Sequence, residues 1–209
     1  SSLLESMQVR FGHEAAQEMA IPSYLHRNPA MRWMATRRLD VVADWLCEGL
    51  TSRARVLDFG CGAGVLLPTA CGAAGEVFAT DLELGPASML VEHCGLANVR
   101  LLEPARLSEI EPGSLDAIVA AEVLEHIEEL DPVFATFRRL LAPDGRLIVS
   151  LPTENAFYRA GPGRGEGSLQ RRLTAEIEQV RLRLTDAKTA TNMLFGMAFS
   201  TAHIFMLLG

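Results

Sequence analysis

The sequence predicts an α/β fold: a doubly wound, mostly parallel seven-stranded sheet with helices on both faces (Rossmann-like) and an N-terminal helical cap. Two observations support this prediction. Short, almost continuously apolar runs alternate with helix-length segments, as in parallel strands that are buried on both faces. The first of these runs ends in a glycine-rich turn that leads into a helix. Right-handed crossovers between the strands then generate the doubly wound arrangement.

The composition fits one folded domain spanning residues 1–209. Hydrophobic residues make up 49% of the chain and charged residues 22%, and the formal net charge is −7. A fold of this size buries about 70% of its unfolded surface, so its core needs no disulfide or metal. The acidic balance argues against a nucleic-acid partner. The four cysteines include no CxxC pair, which suits a reducing cytoplasm better than a disulfide scaffold.

Residues 1–50 are predicted to form the helical cap. Residues 5–20 and 29–50 have helix-like patterns, and a loop bracketed by Pro22 and Pro29 separates them. The first residues lack the basic-then-apolar layout of a signal peptide, and no apolar run is long enough to span a membrane. We therefore expect a cytoplasmic protein without a membrane span.

Residues 51–152 are predicted to form the cofactor-binding core. Helix-length segments at 64–73, 85–95 and 129–141 separate most of its apolar runs. The five runs predicted to be strands are Arg55–Phe59, Glu76–Thr80, Val99–Leu102, Leu115–Ala121 and Arg146–Leu151.

Residues 153–209 are predicted to form a helix and closing strands. Apolar residues between Leu169 and Leu184 recur at spacings of three and four, which predicts an amphipathic helix. The apolar end, residues 192–209, is interrupted by polar residues and is expected to form two closing strands. The alternative is that this end contacts a membrane or a partner, and a homodimer is one such assembly.

The glycine-rich turn has the spacing of a nucleoside site. Gly60, Gly62 and Gly64 alternate within VLDFGCGAG, and glycine lets the backbone turn sharply and approach a ligand closely. Asp81 lies 21 residues after Gly60, at the end of the second run. A carboxylate there can accept hydrogen bonds from both ribose hydroxyls, so the two motifs together imply an adenosine ligand.

Asp58 indicates which of two classes of adenosine-containing ligand the turn binds. Dinucleotide folds use GxGxxG, in which the helix N-terminus meets a pyrophosphate, whereas the spacing here is GxGxG. A carboxylate just before the turn repels a pyrophosphate and favours a cationic ligand, such as one with an α-ammonium group. The sequence therefore favours an amino-acid-bearing nucleoside and disfavours a nicotinamide-dependent oxidoreductase.

Residues 55–151 resemble the class I S-adenosylmethionine-dependent methyltransferases of the small-molecule type. VLDFGCGAG is similar to the first motif of that family, and TDLELGPASML is similar to its second. The resemblance implies S-adenosylmethionine as cofactor, S-adenosylhomocysteine as product, and a small-molecule or lipid-like acceptor. A catalytically silent S-adenosylmethionine-binding module that regulates a partner is the alternative. The cofactor contacts implied are Asp58, Gly60, Cys61, Gly62, Gly64, Asp81, Leu82, Pro104, Ala105 and Ala121.

One position departs from the family pattern. Members often place an aspartate just after the third strand, where it accepts a hydrogen bond from the adenine amino group. Pro104 or Ala105 stands there in this chain, and neither side chain is an acceptor. Unless the neighbouring Glu103 substitutes, the adenine loses a hydrogen bond worth about 0.5–1.5 kcal/mol.

His126 is the candidate catalytic residue. It follows the fourth strand in AAEVLEHIEEL, where similar enzymes often carry an acid–histidine pair. Histidine titrates near neutrality, which suits a base that deprotonates an oxygen acceptor. The alternatives are contact with the acceptor or cofactor, and packing of the following helix. Glu122 and Glu125 with His126 also suggest a divalent-metal cluster, but we predict no metal.

Overall fold

The computed structural model describes residues 2–19, 21–152, 182–183 and 201–208. The chain forms two compact units, Ser1–Ile110 and Glu111–Gly209. The single domain over 1–209 therefore stays a prediction. In the described part of the chain, no helix is both long and apolar enough to cross a membrane.

Three parallel strands form the sheet of the first unit, in the order β3-β2-β1. All three have the predicted bounds, because buried apolar runs are the strongest local signal for such strands. Phe59 pairs with Thr80, so β1 and β2 end side by side. The strands are β1 (Arg55–Phe59), β2 (Glu76–Thr80) and β3 (Val99–Leu102).

Two helices connect these strands, α4 (Leu67–Ala73) and α5 (Gly85–Cys94). The predicted start of α4 at residue 64 is wrong by three residues. Gly64 has a left-handed φ of 76°, and the Leu67 amide donates to its carbonyl at 2.9 Å, so a turn precedes the helix. Helix α5 ends where Gly95 adopts a φ of 62°, a common C-terminal cap.

The N-terminal cap contains three helices rather than the two predicted. Gly12, with φ 86° and ψ 172°, interrupts the first of them. The third begins after Asn28, whose side chain accepts a hydrogen bond from the Ala30 amide at 2.9 Å. The second lies partly within the segment predicted to be a loop. The helices are α1 (Leu3–Glu18), α2 (Ile21–Tyr24) and α3 (Pro29–Cys47).

In the second unit, helix α6 (Leu130–Leu140) connects the parallel strands β4 (Leu115–Ala121) and β5 (Leu141–Pro152). β4 has its predicted bounds, but β5 begins five residues before the predicted Arg146. Leu141 pairs with Leu115, the chain then bulges, and pairing resumes between Arg146 and Ala117. This bulge depends on pairing between distant segments, which a local apolar pattern does not reveal.

Two further strands complete the described part of the second unit. β7 (Thr201–Leu208) runs antiparallel to β5, and β6 (Leu182–Arg183) runs antiparallel to β7. One predicted closing strand is therefore confirmed in β7. The helix predicted over 169–184 is wrong at Leu182–Arg183, and the rest of it lies outside the described residues. The parallel α/β pattern of β1–β5 is confirmed, whereas the predicted count of seven strands is reached only with the two antiparallel strands, β6 of two residues and β7 of eight.

Candidate functional site

The turn after β1 is built from three glycines in the left-handed region. Gly60, Gly62 and Gly64 have φ values of 77°, 52° and 76°. For a residue with a side chain, this conformation costs about 1–2 kcal/mol. At Gly64 space is also short, because a Cβ would lie 2.9 Å from Leu67 Cδ1 and 3.4 Å from Ala87 Cα. The turn is therefore shaped by backbone conformation and packed against helix α5.

The last residue of β2 holds the start of this turn. The amides of Gly60 and Cys61 both donate to the Thr80 carbonyl oxygen, at 2.8 and 3.1 Å. Thr80 Oγ1 is buried, and it has no hydrogen-bond partner among the residues that the structure describes. Sequence reasoning missed Thr80, whose only signal is its position directly before Asp81.

Asp81 connects the end of β2 to the middle of the turn. Its Oδ2 accepts a hydrogen bond from the Gly62 amide at 2.7 Å, and its Oδ1 accepts a long one from the Glu83 amide at 3.4 Å. Each carboxylate oxygen can accept two hydrogen bonds, so acceptor capacity remains for a ligand. Asp81 can therefore orient the turn and bind a ribose at the same time.

Asp58 contributes a second carboxylate, and this one is buried. It is 3% exposed, and its side chain forms no hydrogen bond within the described part of the chain. Burial, and then the charge of Asp81, raises the pKa of Asp58 to about 7. A buried carboxylate without a partner is costly, and a positively charged ligand relieves that cost. The site thus fits a cationic nucleoside and not a diphosphate.

Cys61 lies between these two carboxylates in the chain and is buried. Burial, followed by the charges of Asp58 and Asp81, raises the pKa of its thiol far above the ordinary range. The thiol therefore stays protonated and is a poor nucleophile. This agrees with a role in which Cys61 supplies small size and a backbone amide.

The residues predicted to contact adenine follow β2 and β3. Leu82 is 95% exposed, directly after Asp81. Pro104 and Ala105 are exposed in the 3₁₀ helix Pro104–Glu109, which begins two residues after β3 ends. Their positions at the carboxyl ends of the strands are those expected for an adenine site. Their contact with the cofactor stays a prediction.

Two predicted site residues lie in the second unit. Ala121 ends β4, and Glu122 follows it with a φ of 53°, unusual for a residue that is not glycine. His126 is exposed, and it ends the short 3₁₀ turn Leu124–His126. The roles of Ala121 and His126 stay predictions. Across the described ranges, no group of three histidine, cysteine or acidic residues is arranged to hold a metal ion.

Two family models match the chain. A methyltransferase domain matches residues 57–147. The C-terminal domain of AefR-like transcriptional repressors matches residues 130–209, much of which lies outside the described residues. The overlap, 130–147, includes helix α6 and the start of β5, and β5 pairs with β4 inside the first match. The overlap therefore belongs structurally with the methyltransferase domain.

Curated relatives agree with the first match. The chain is 32% identical over 117 residues to a ubiquinone biosynthesis O-methyltransferase of Dechloromonas aromatica (strain RCB). This alignment covers 54% of this chain and 50% of the relative. A protein of the same name from Xanthomonas oryzae pv. oryzae is 35% identical over 101 residues, covering 46% of this chain and 42% of the relative. The chain spans about half the length of the curated relatives that it matches.

The fold also matches a solved structure. A SAM dependent methyltransferase from Aquifex aeolicus superposes with a TM-score of 0.64 at 19% identity, covering 87% of this chain and 94% of the other. Residues 57–147, which include the glycine turn and its two carboxylates, match a methyltransferase domain, and over this part the chain is similar to S-adenosylmethionine-dependent methyltransferases.

Proposed function

We propose that this protein transfers a methyl group from S-adenosylmethionine to an oxygen atom of a small-molecule acceptor. The observation that carries the proposal is the turn itself, in which buried Asp58 precedes the glycines and Asp81 binds the Gly62 amide. Two carboxylates at one turn favour a ligand with positive charge. The name of the relatives, O-methyltransferase, supports oxygen as the acceptor atom.

Each residue of the turn has a definite task in this proposal. Asp81 accepts the ribose hydroxyls through its remaining lone pairs, and Asp58 faces the positive charge of the ligand's amino-acid portion. The glycines allow that portion to approach the backbone closely. When bound, S-adenosylmethionine supplies a methyl group on a cationic sulfur, and this sulfur becomes a neutral thioether when the methyl group is transferred. Because this donor is intrinsically reactive, positioning provides much of the acceleration.

His126 is the proposed general base. An oxygen acceptor must lose its hydroxyl proton as the new carbon–oxygen bond forms, and an imidazole can accept that proton near neutral pH. The exposed position of His126 leaves its ring accessible to a substrate. The same proposal places the reaction in the cytoplasm, with a small-molecule acceptor and no nucleic-acid partner. A homodimer is the oligomeric state to test.

Transfer of a labelled methyl group tests this function. The protein is incubated with methyl-tritiated S-adenosylmethionine and either a panel of phenols and catechols or a small-molecule cell extract. We expect one labelled product per S-adenosylhomocysteine formed, and a fall in both with Asp81→Ala at subsaturating S-adenosylmethionine. If the cofactor binds but no acceptor becomes labelled, the silent binding module replaces the enzyme. If S-adenosylmethionine does not bind to the folded protein, the donor assignment is wrong.

A further inference from the structure

Met19, the residue directly after helix α1, packs against the proposed cofactor turn. A Cβ built at Gly62 would lie 3.7 Å from Met19 Cγ and 3.8 Å from Met19 Cβ, which is ordinary van der Waals contact. Gly62 is also the residue whose amide binds Asp81. Met19 therefore lies over the point at which the turn is tied to its ribose-binding carboxylate.

A second contact lies on the other side of Asp81. A Cβ at Gly85 would approach Phe11 Cε1 to 2.6 Å, so the Phe11 ring occupies the space beside the first residue of α5. The Gly85 amide donates to Glu83 Oε1 at 2.8 Å, and the Glu83 amide in turn donates to Asp81. The N-terminal segment thus contacts the glycine turn through Met19 and the first residue of α5, just after the Asp81 loop, through Phe11.

A break in α1 separates these two contacts. Gly12, between Phe11 and Met19, has φ 86° and ψ 172°, a conformation open almost only to glycine. It is exposed, and apart from its chain neighbours and the backbone of its own helix no heavy atom lies within 4 Å of a Cβ built there. Helix α1 therefore consists of two short helical pieces joined at a glycine, and hinge residues in lids are often small residues at such a position.

We propose that residues 3–19 form a hinged cover over the cofactor turn, with Phe11 and Met19 as its contacts and Gly12 as its joint. The cover must open for the cofactor to enter or leave, so its contacts slow cofactor release. This inference rests on the proposed function, because it takes the turn to be the cofactor site.

Hydrogen exchange on the wild-type chain tests the cover without any substitution. Peptides from residues 3–19 are followed by mass spectrometry with and without saturating S-adenosylhomocysteine. We expect the bound nucleoside to slow exchange in this segment, because an occupied turn keeps the cover closed. If the nucleoside binds and exchange in residues 3–19 is unchanged, there is no such cover.

Dissociation kinetics supply the second measurement. Labelled S-adenosylmethionine is chased with unlabelled nucleoside from Met19→Ala, Phe11→Ala and the matched control Val9→Ala, whose side chain on the same helix is 86% exposed. We expect the first two variants to release the cofactor about tenfold faster, with little change in association. The control should match the wild type, and circular dichroism checks that each variant is folded.

The two proposals fail in different ways. Cofactor binding with wild-type release rates in folded Met19→Ala and Phe11→Ala overturns the cover and leaves the proposed function intact. Absence of S-adenosylmethionine and S-adenosylhomocysteine binding to the folded wild type overturns the proposed function, and the cover with it.

Discussion

Asp58→Asn is expected to stabilise the free protein while weakening its cofactor binding. The pKa of this buried carboxyl is raised from 3.8 to about 7, first by burial and then by Asp81. Between these two values the folded chain holds a proton that the unfolded chain has released. The contribution of Asp58 to stability is therefore most favourable below about pH 4 and falls as the pH rises to about 7.

The size of this effect follows from the two pKa values. Each pKa unit corresponds to about 1.4 kcal/mol, so the ionised group costs the folded state about 4 kcal/mol above pH 7. Asparagine keeps the shape and removes the charge. The stability of Asp58→Asn minus that of the wild type should grow by up to about 1.4 kcal/mol per pH unit between about pH 4 and 7, and then level off. Loss of the charge-assisted contact should weaken S-adenosylmethionine binding by about 10- to 100-fold.

Urea unfolding at a series of pH values measures this difference. Subtracting the wild-type curve cancels the titration of other groups, and Asp40→Asn, at an exposed position of α3, controls for the chemical change. Calorimetry on the same preparations gives the cofactor affinity. A stability difference that does not vary with pH, or a variant less stable than the wild type at about pH 8, would refute the assignment of Asp58 as a buried, uncompensated carboxyl.

Three other substitutions and one control variant test the rest of the site. Asp81→Ala should lower the affinity for S-adenosylmethionine about 10- to 100-fold in calorimetry while the protein stays folded, because the substitution removes charged hydrogen bonds. Unchanged affinity would contradict the ribose-binding role of Asp81. His126→Ala should lower turnover about 100-fold with little effect on cofactor affinity, and wild-type turnover removes it from the mechanism. Gly64→Ala should lower the free energy of unfolding in urea by about 2–4 kcal/mol. The control Gly72→Ala, at a position in α4 with open space around it, should be neutral or stabilising. If the two variants are equally stable, the left-handed, tightly packed conformation assigned to Gly64 is refuted.

Local patterns predicted the parallel strands well and the breaks in regular structure poorly. The first four strands have the expected bounds because each is a buried apolar run between turns. The break at Gly12 and the late start of α4 depend on glycines with positive φ values, and a pattern of apolar residues does not predict these backbone conformations. Leu182–Arg183 have helix-like neighbours in sequence but pair with β7, and pairing with a distant strand overrides local periodicity.

In the candidate site too, features encoded by local sequence spacing could be predicted, whereas contacts between distant segments could not. Asp58, Asp81 and the glycines between β1 and α4 could be predicted, because their spacing encodes a backbone turn at the end of one strand and an acid at the end of the next. Thr80 and Met19 could not, since their contacts with the turn join segments that are distant in sequence. Asp81 also proved to bind the Gly62 amide, a structural task that the ribose motif alone does not predict.

Calorimetric titration of the wild-type chain with S-adenosylmethionine and, separately, with an oxidised nicotinamide dinucleotide tests the central claim most directly. The two acidic groups at the turn should give saturable binding of the sulfonium compound and no detectable heat with the dinucleotide. Binding of the dinucleotide, or a folded protein that takes up no S-adenosylmethionine, would contradict the account.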